Sequence, residues 1–160
     1  ARAIATRAVV ELGAGRAPFA RALNGRVAVV FPRFSELAAR ITIEPAVCDE
    51  KGWVEAAFAP SGVTPGTLVV GIEPTEGEIA EAAREAAAAD ATVLFLYDAH
   101  LYPSNRALLD ALQRDARRLA VVLLRDPYDA ALLVPGVLGI TAYGWRTCQM
   151  QAAVARLTHP

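Results

Sequence analysis

Apolar residues in this chain fall into short uninterrupted runs, and between the runs they recur at helical spacing. The runs Arg26–Phe31, Leu68–Gly71, Ala91–Leu96, Leu119–Leu124 and Val137–Ala142 are short, rich in Val, Leu and Ile and nearly free of charge. Such runs predict strands buried on both faces. Between them, Glu76 to Ala89 predicts a helix. Thr75 stands as its N-cap, and Glu78, three residues on, completes a capping-box pattern. Pro103 and Ser104 open a second helix with Leu108, Leu109 and Leu112 on one face, and Arg146 to Leu157 predicts a third. Strand alternating with helix is the pattern of a mostly parallel sheet covered on both faces, an α/β three-layer αβα sandwich.

The rest reads less evenly. Ala1 to Glu11 places Ile4, Ala8 and Val9 on one helical face. Gly13 and Gly15 then break the pattern, and Pro18 leads into a linker-like turn. Residues 1–25 are therefore expected to form a linker helix and turn, and residues 26–160 the sandwich. Ser35 is a candidate N-cap for a helix to Arg40, and Ile41-Thr42-Ile43 a candidate strand. From Ile41 to Thr67, Pro and Gly punctuate a segment without a period.

Composition narrows the function classes. The 160 residues are 54% hydrophobic with a formal net charge of −1, which fits one globular domain. There is no concentrated basic surface of the kind nucleic-acid binding uses, and no apolar run long enough for a membrane span. Cys48 and Cys148 have no metal-ligand spacing and are expected to be small buried residues without a disulfide. No metal and no cofactor is expected. Gly13-Ala14-Gly15 precedes the first good strand, so it fails as a dinucleotide loop on order, and no Gly-x-Ser-x-Gly elbow occurs. The chain begins at Ala1 inside a predicted helix, as expected of a piece of a longer protein. The compartment is left open, with the cytoplasm favoured.

Candidate chemistry is sought where ligand sites of such sheets gather, at the carboxyl ends of the strands. Asp98 and His100 form an Asp-x-His pair able to orient an imidazole for proton transfer, though no nucleophile is evident nearby. Glu73 is a candidate general acid and equally a turn residue. Glu76 fits the first turn of its helix. Trp53 reads as core. Trp145, after Tyr143-Gly144 at a strand end, is the better candidate for stacking on a sugar. In Arg125-Asp126-Pro127-Tyr128-Asp129, Pro127 ends the strand sharply, and Asp126 or Asp129 is placed to accept N–H groups of a following short helix.

That segment also carries a family resemblance. Val121–Asp129 is similar to the C-terminal domain of family 3 glycoside hydrolases of the bacterial β-N-acetylhexosaminidase type, where a buried strand ends in an Arg-(Asn/Asp)-Pro-Tyr-Asp turn. Ile140–Gly144 resembles the strand that follows, and Ala5–Val10 resembles the linker helix. The resemblance implies a flavodoxin-like module packed on a catalytic (β/α)8 barrel of the same parent chain, which acts on a carbohydrate substrate. It implies no catalytic residue here, because the nucleophile and the His-Asp acid/base belong to the barrel. Asp98-Ala99-His100 matches only the tail of that motif and lacks its Lys-His and Pro-Gly context. Related β-glucosidases place an acid/base glutamate on this domain, and no glutamate here stands in a matching motif. Arg125, Asp126, Tyr128, Asp129, Tyr143 and Trp145 are the expected substrate-facing or interface residues. The alternatives are a domain that supplies an acid/base residue, Glu73 or the Asp98–His100 pair, to a β-glucosidase-like site shared with the barrel, and a free-standing small-ligand module.

Overall fold

The computed structural model describes residues 1–13 and 16–159, so two positions of the glycine turn, Ala14 and Gly15, lie outside the described residues. Among the described residues six strands form one sheet: β1 (Val10–Leu12), β2 (Val27–Pro32), β3 (Gly66–Val70), β4 (Ala91–Leu96), β5 (Leu119–Leu123) and β6 (Leu138–Thr141). Their order is β1-β6-β5-β4-β2-β3, parallel throughout except for β1, which runs antiparallel to β6. Without β1 this is the doubly wound arrangement of flavodoxin-like sheets. Every residue of β2, β4, β5 and β6 is buried, as their unbroken apolar runs require.

The helices are α1 (Arg2–Ala8), α2 (Arg16–Ala22), α3 (Glu50–Phe58), α4 (Glu76–Ala88), α5 (Pro103–Asp115) and α6 (Thr147–Thr158). Alternate strand residues divide between two cores. Val29, Phe31, Val93, Phe95, Val122 and Ile140 meet Trp53 and Phe58 of α3 and Met150 and Val154 of α6. Val30, Leu94, Leu96, Val121 and Leu123 meet Ala82 and Ala86 of α4 and Leu108, Leu109 and Leu112 of α5. The period of two along each strand thus generates the three layers.

Several expectations are corrected. The first helix ends at Ala8, and Val10–Leu12 becomes an edge strand whose register (Val10 opposite Thr141) is set across the whole chain. Glu11 is tied to Arg156 of α6. Gly13 does end this strand: its φ is +84°, and a Cβ there would meet the Val137 carbonyl at 2.9 Å. The expected turn at Pro18 is helix α2, whose Phe19, with Leu23 just beyond the helix, enters the α3/α6 core. Ser35 caps nothing. It sits in a 3₁₀ turn, Phe34–Glu36, and gives its N–H and hydroxyl to Glu50 at 2.9 and 2.8 Å. Ile41–Ile43 is not a strand. The unreadable segment holds 3₁₀ turns at Pro45–Cys48 and Ala59–Ser61 around α3. β3 lies at the sheet edge and is only partly buried. Cys48 and Cys148 are unpaired, as expected, but half-buried rather than buried.

The capping box at α4 is present and extends beyond the helix. Glu78 accepts from the N–H groups of Thr75 (2.9 Å) and Gly71 (3.1 Å) and pairs with Arg33 at 3.1 Å, so one carboxylate ties α4 to the ends of β2 and β3. Burial alone would raise the Glu78 pKa, but the Thr75 and Gly71 N–H groups and Arg33 together bring it below its ordinary 4.5. Its folded-state pKa is depressed, so its contribution is complete above the unfolded value and is lost as pH falls through the folded one. Glu78→Gln is expected to cost about 1–2 kcal/mol at neutral pH. In urea titrations that difference should shrink on acidification below pH 4.5. A difference that grows on acidification would contradict the assignment.

Candidate functional site at the carboxyl end of the sheet

The residues that follow β4, β5 and β6 converge at one end of the sheet. After β4 the chain turns within four residues, and the Asp98 carbonyl accepts from the N–H groups of Leu101 and Tyr102, each at 3.0 Å. Asp98 takes φ +42° to make this turn, and Tyr143, after β6, takes φ +57°. They are the non-glycine residues of positive φ among the described residues, and both stand at this site. Backbone conformations of this sort cost free energy and persist where the surroundings hold them.

Sequence proximity suggested that Asp98 orients His100. The structure pairs them differently. Asp98 faces Arg125, whose Nη1 is 2.6 Å from its Oδ2. His100 is held by Asp129: the ring Nδ1 lies 2.8 Å from Oδ1, and the same carboxylate accepts the N–H groups of Ala99 (2.9 Å) and His100 (2.8 Å). Both Asp129 oxygens are therefore acceptors. Against a carboxylate Nδ1 is the donor, which in the neutral imidazole leaves the lone pair on Nε2. Asp129 thus binds back to the β4 turn, and Asp126, the N-cap of the 3₁₀ helix Pro127–Leu132, makes no capping bond. The expected capping of that helix by Asp126 or Asp129 is replaced by a strap across two strand ends.

Asp98 is 2% exposed, and burial raises its pKa above the ordinary 3.8 although the Arg125 guanidinium pulls the other way. Arg125 also lies over the Trp145 ring, 5.7 Å from its centroid, a cation–π arrangement. Trp145 packs beside Tyr97 at 5.9 Å, and His100 meets Tyr128 edge-on at 5.6 Å. Tyr128 is 69% exposed, Tyr143 45% and Leu101 59%.

Beside this cluster opens a cleft of about 760 Å³ lined by Ile43, Glu44, Arg125, Asp126, Tyr143 and Trp145, among others. The segment without a readable period supplies one wall. Glu44 accepts the Thr147 N–H at the start of α6 at 3.0 Å, and its pKa is held below the usual carboxylate range, first by the Thr147 side chain and then, against burial, by that N–H. No sequence signal marked Glu44, because its partner is more than a hundred residues away. Trp53 is core, stacked on Phe31 at 5.2 Å, as expected. Glu73 is exposed and lines a separate shallow cleft with Glu36, Leu37 and Arg40 near β3, at the other side of the sheet. The candidates thus resolve into one cluster, with Glu73 outside it.

No protein-family model matches the sequence, and no curated protein matches it either. Solved structures do. A family 3 glycoside hydrolase, the β-N-acetylglucosaminidase of Paenibacillus sp. str. FPU-7, superposes over 98% of this chain with a TM-score of 0.74 and 25% identity. The likeness is to the C-terminal region of family 3 glycoside hydrolases. The fungal multi-domain family 3 β-N-acetylglucosaminidase that carries a GCN5-related glucosamine N-acetyltransferase region shares the fold (TM-score 0.69, 16% identity, 98% of this chain). So does the family 3 β-glucosidase of Bifidobacterium adolescentis (TM-score 0.64, 14% identity, 96% of this chain). This chain spans 29%, 17% and 26% of the length of those three proteins.

Proposed function

We propose that this chain is the non-catalytic C-terminal module of a β-N-acetylhexosaminidase-like family 3 glycoside hydrolase. In this reading it packs on a catalytic (β/α)8 barrel of the same parent chain, which removes terminal β-linked N-acetylglucosamine, including from cell-wall fragments. In this reading residues 1–25 lead in from the barrel, with β1 and Phe19 already part of the sandwich that residues 26–160 complete. The observation that carries the reading is the match along 98% of the chain, at 25% identity, to under a third of a family 3 β-N-acetylglucosaminidase. The strand-end face supports it. Arg125 with the exposed Tyr128 and Tyr143 offers the aromatic and Arg side chains that protein interfaces favour. The adjoining cleft, with Trp145 as its aromatic wall, would line the substrate entrance.

A second reading has one specific observation in its favour. His100, clamped by Asp129 with Nε2 free, has the form of a general acid/base. In that reading it supplies a proton to a site shared with the barrel. An aryl β-N-acetylglucosaminide separates the two. The isolated chain is expected not to hydrolyse it, and turnover by the isolated chain would sink the first reading. In the full-length parent, His100→Ala is expected to leave kcat within a few-fold of the unsubstituted enzyme. A fall of roughly 100-fold or more with the fold intact would establish the acid/base role instead.

A further inference from the structure

The three side chains Asp98, His100 and Asp126 come from two strand ends, and one ligand atom of each lies within 4.8 Å of the others. They mix a nitrogen donor with carboxylate oxygens. That set suits a borderline transition cation such as zinc, whereas calcium and magnesium take oxygen. From these residues and their support we propose that Asp98, His100 and Asp126 form a binding site for a zinc-class divalent cation, independently of the glycosidase reading.

The support is the second observation. Histidines that bind metals characteristically give their other ring N–H to a carboxylate, which fixes the tautomer and points the free nitrogen at the ion. Asp129 does this to His100 at 2.8 Å, and it is itself locked by the Ala99 and His100 N–H groups. The arrangement leaves Nε2 as the ligand atom. Asp98 is 2% exposed and fixed in a tight turn, so its carboxylate is preorganised, and Asp126 lies at the rim of the open cleft, which gives an ion a way in. Tetrahedral zinc holds such donors about 3.3 Å apart. An ion would therefore have to draw in atoms that now stand up to 4.8 Å apart.

One group opposes binding. The Arg125 guanidinium holds Asp98 Oδ2 at 2.6 Å, and a cation must share or displace it. The guanidinium is 39% exposed, with Trp145 beside it, and has room to withdraw into the cleft. Arg125 thus acts as a competitor for the site, and this makes the proposal separable from adventitious binding at His159, the terminal amine or the free thiols.

The test is titration of the purified chain with zinc by calorimetry, and with cobalt(II) by visible absorption to identify the donors. One equivalent should bind, with cobalt bands of nitrogen and oxygen ligation and no thiolate charge-transfer band. His100→Ala and the rim substitution Asp126→Asn should each abolish or strongly weaken that step while melting near the parent temperature. Asp129→Asn should weaken it by about 10- to 100-fold, as lost outer-shell support does. Arg125→Ala should tighten it. The proposal is overturned by the absence of a one-equivalent step, by thiolate bands, by unchanged binding in a folded Asp126→Asn chain, or by unchanged or weaker binding in Arg125→Ala.

Discussion

Asp129→Ala is expected to lower the stability of this chain by about 3 kcal/mol, far more than the same change at its neighbour Asp126. Asp129 is 2% exposed and accepts three hydrogen bonds: the N–H groups of Ala99 and His100, and the His100 ring. Its loss strands a buried N–H on Ala99 and a partly buried one on His100, and each unsatisfied buried donor costs on the order of 1–3 kcal/mol. It also frees the Pro127–Leu132 turn from the end of β4. For a chain of this length, 3 kcal/mol corresponds to a melting-temperature fall of roughly 6–12 °C. Asp129→Asn retains one acceptor oxygen and should fall between the two. Asp126 makes no capping bond, so Asp126→Ala should stay within about 0.5 kcal/mol of the parent. Thermal melts of the three variants check this. Equal effects at 126 and 129 would mean that the strap carries no more than the local turn does.

The same residue shows where a sequence can be read and where it cannot. β2, β4, β5 and β6 were legible because a strand covered on both faces announces itself in a handful of consecutive residues. The α4 capping box was legible because Thr75 and Glu78 are three residues apart. β1 was not. Three residues with no run of their own become a strand only by pairing with Thr141, Ile140 and Gly139. α3 was hidden because Gly52 and the flanking prolines look like loop, whereas tertiary burial of Trp53, Val54 and Phe58 holds the helix. At the site, the sequence drew attention to Asp98 and His100 and to the Arg125–Asp129 turn. Their pairing differs from the one proximity suggests, because two residues separated only by Ala99 look like partners. The left-handed turn at Asp98 sends its carboxylate to Arg125, and the β5 end delivers Asp129 to His100 from 29 residues away. The motif was visible, but its hydrogen bonds are a property of the sheet register.

Phe31→Ala should destabilise the chain further, by about 3–5 kcal/mol, and its effect should reach the site. Phe31 is fully buried near the end of β2, edge-on to Phe34 at 5.5 Å and to Phe95 at 4.9 Å, and stacked on Trp53 at 5.2 Å. Truncation removes the ring around which the other three are arranged, and the cost is the lost burial plus a cavity that backbone on both sides of the sheet resists closing. Phe95 precedes Tyr97 and Asp98 by two and three residues, and these two follow directly on the end of its strand. Loosening its packing therefore loosens the segment that positions the Asp98–Arg125 pair and the Tyr97–Trp145 contact. Two readouts separate this from general weakening. Urea denaturation gives the stability change. In a Trp145→Phe background, the emission of Trp53 reports the cavity: it should shift to the red in Phe31→Ala under fully native conditions. Phe31→Leu, which refills most of the volume, should recover more than half of the stability and most of the emission. If Phe31→Ala unfolds with the parent's midpoint, the aromatic cluster is not what fixes the β2–β4 strand ends. The register of the site would then rest on the hydrogen-bonded turns alone.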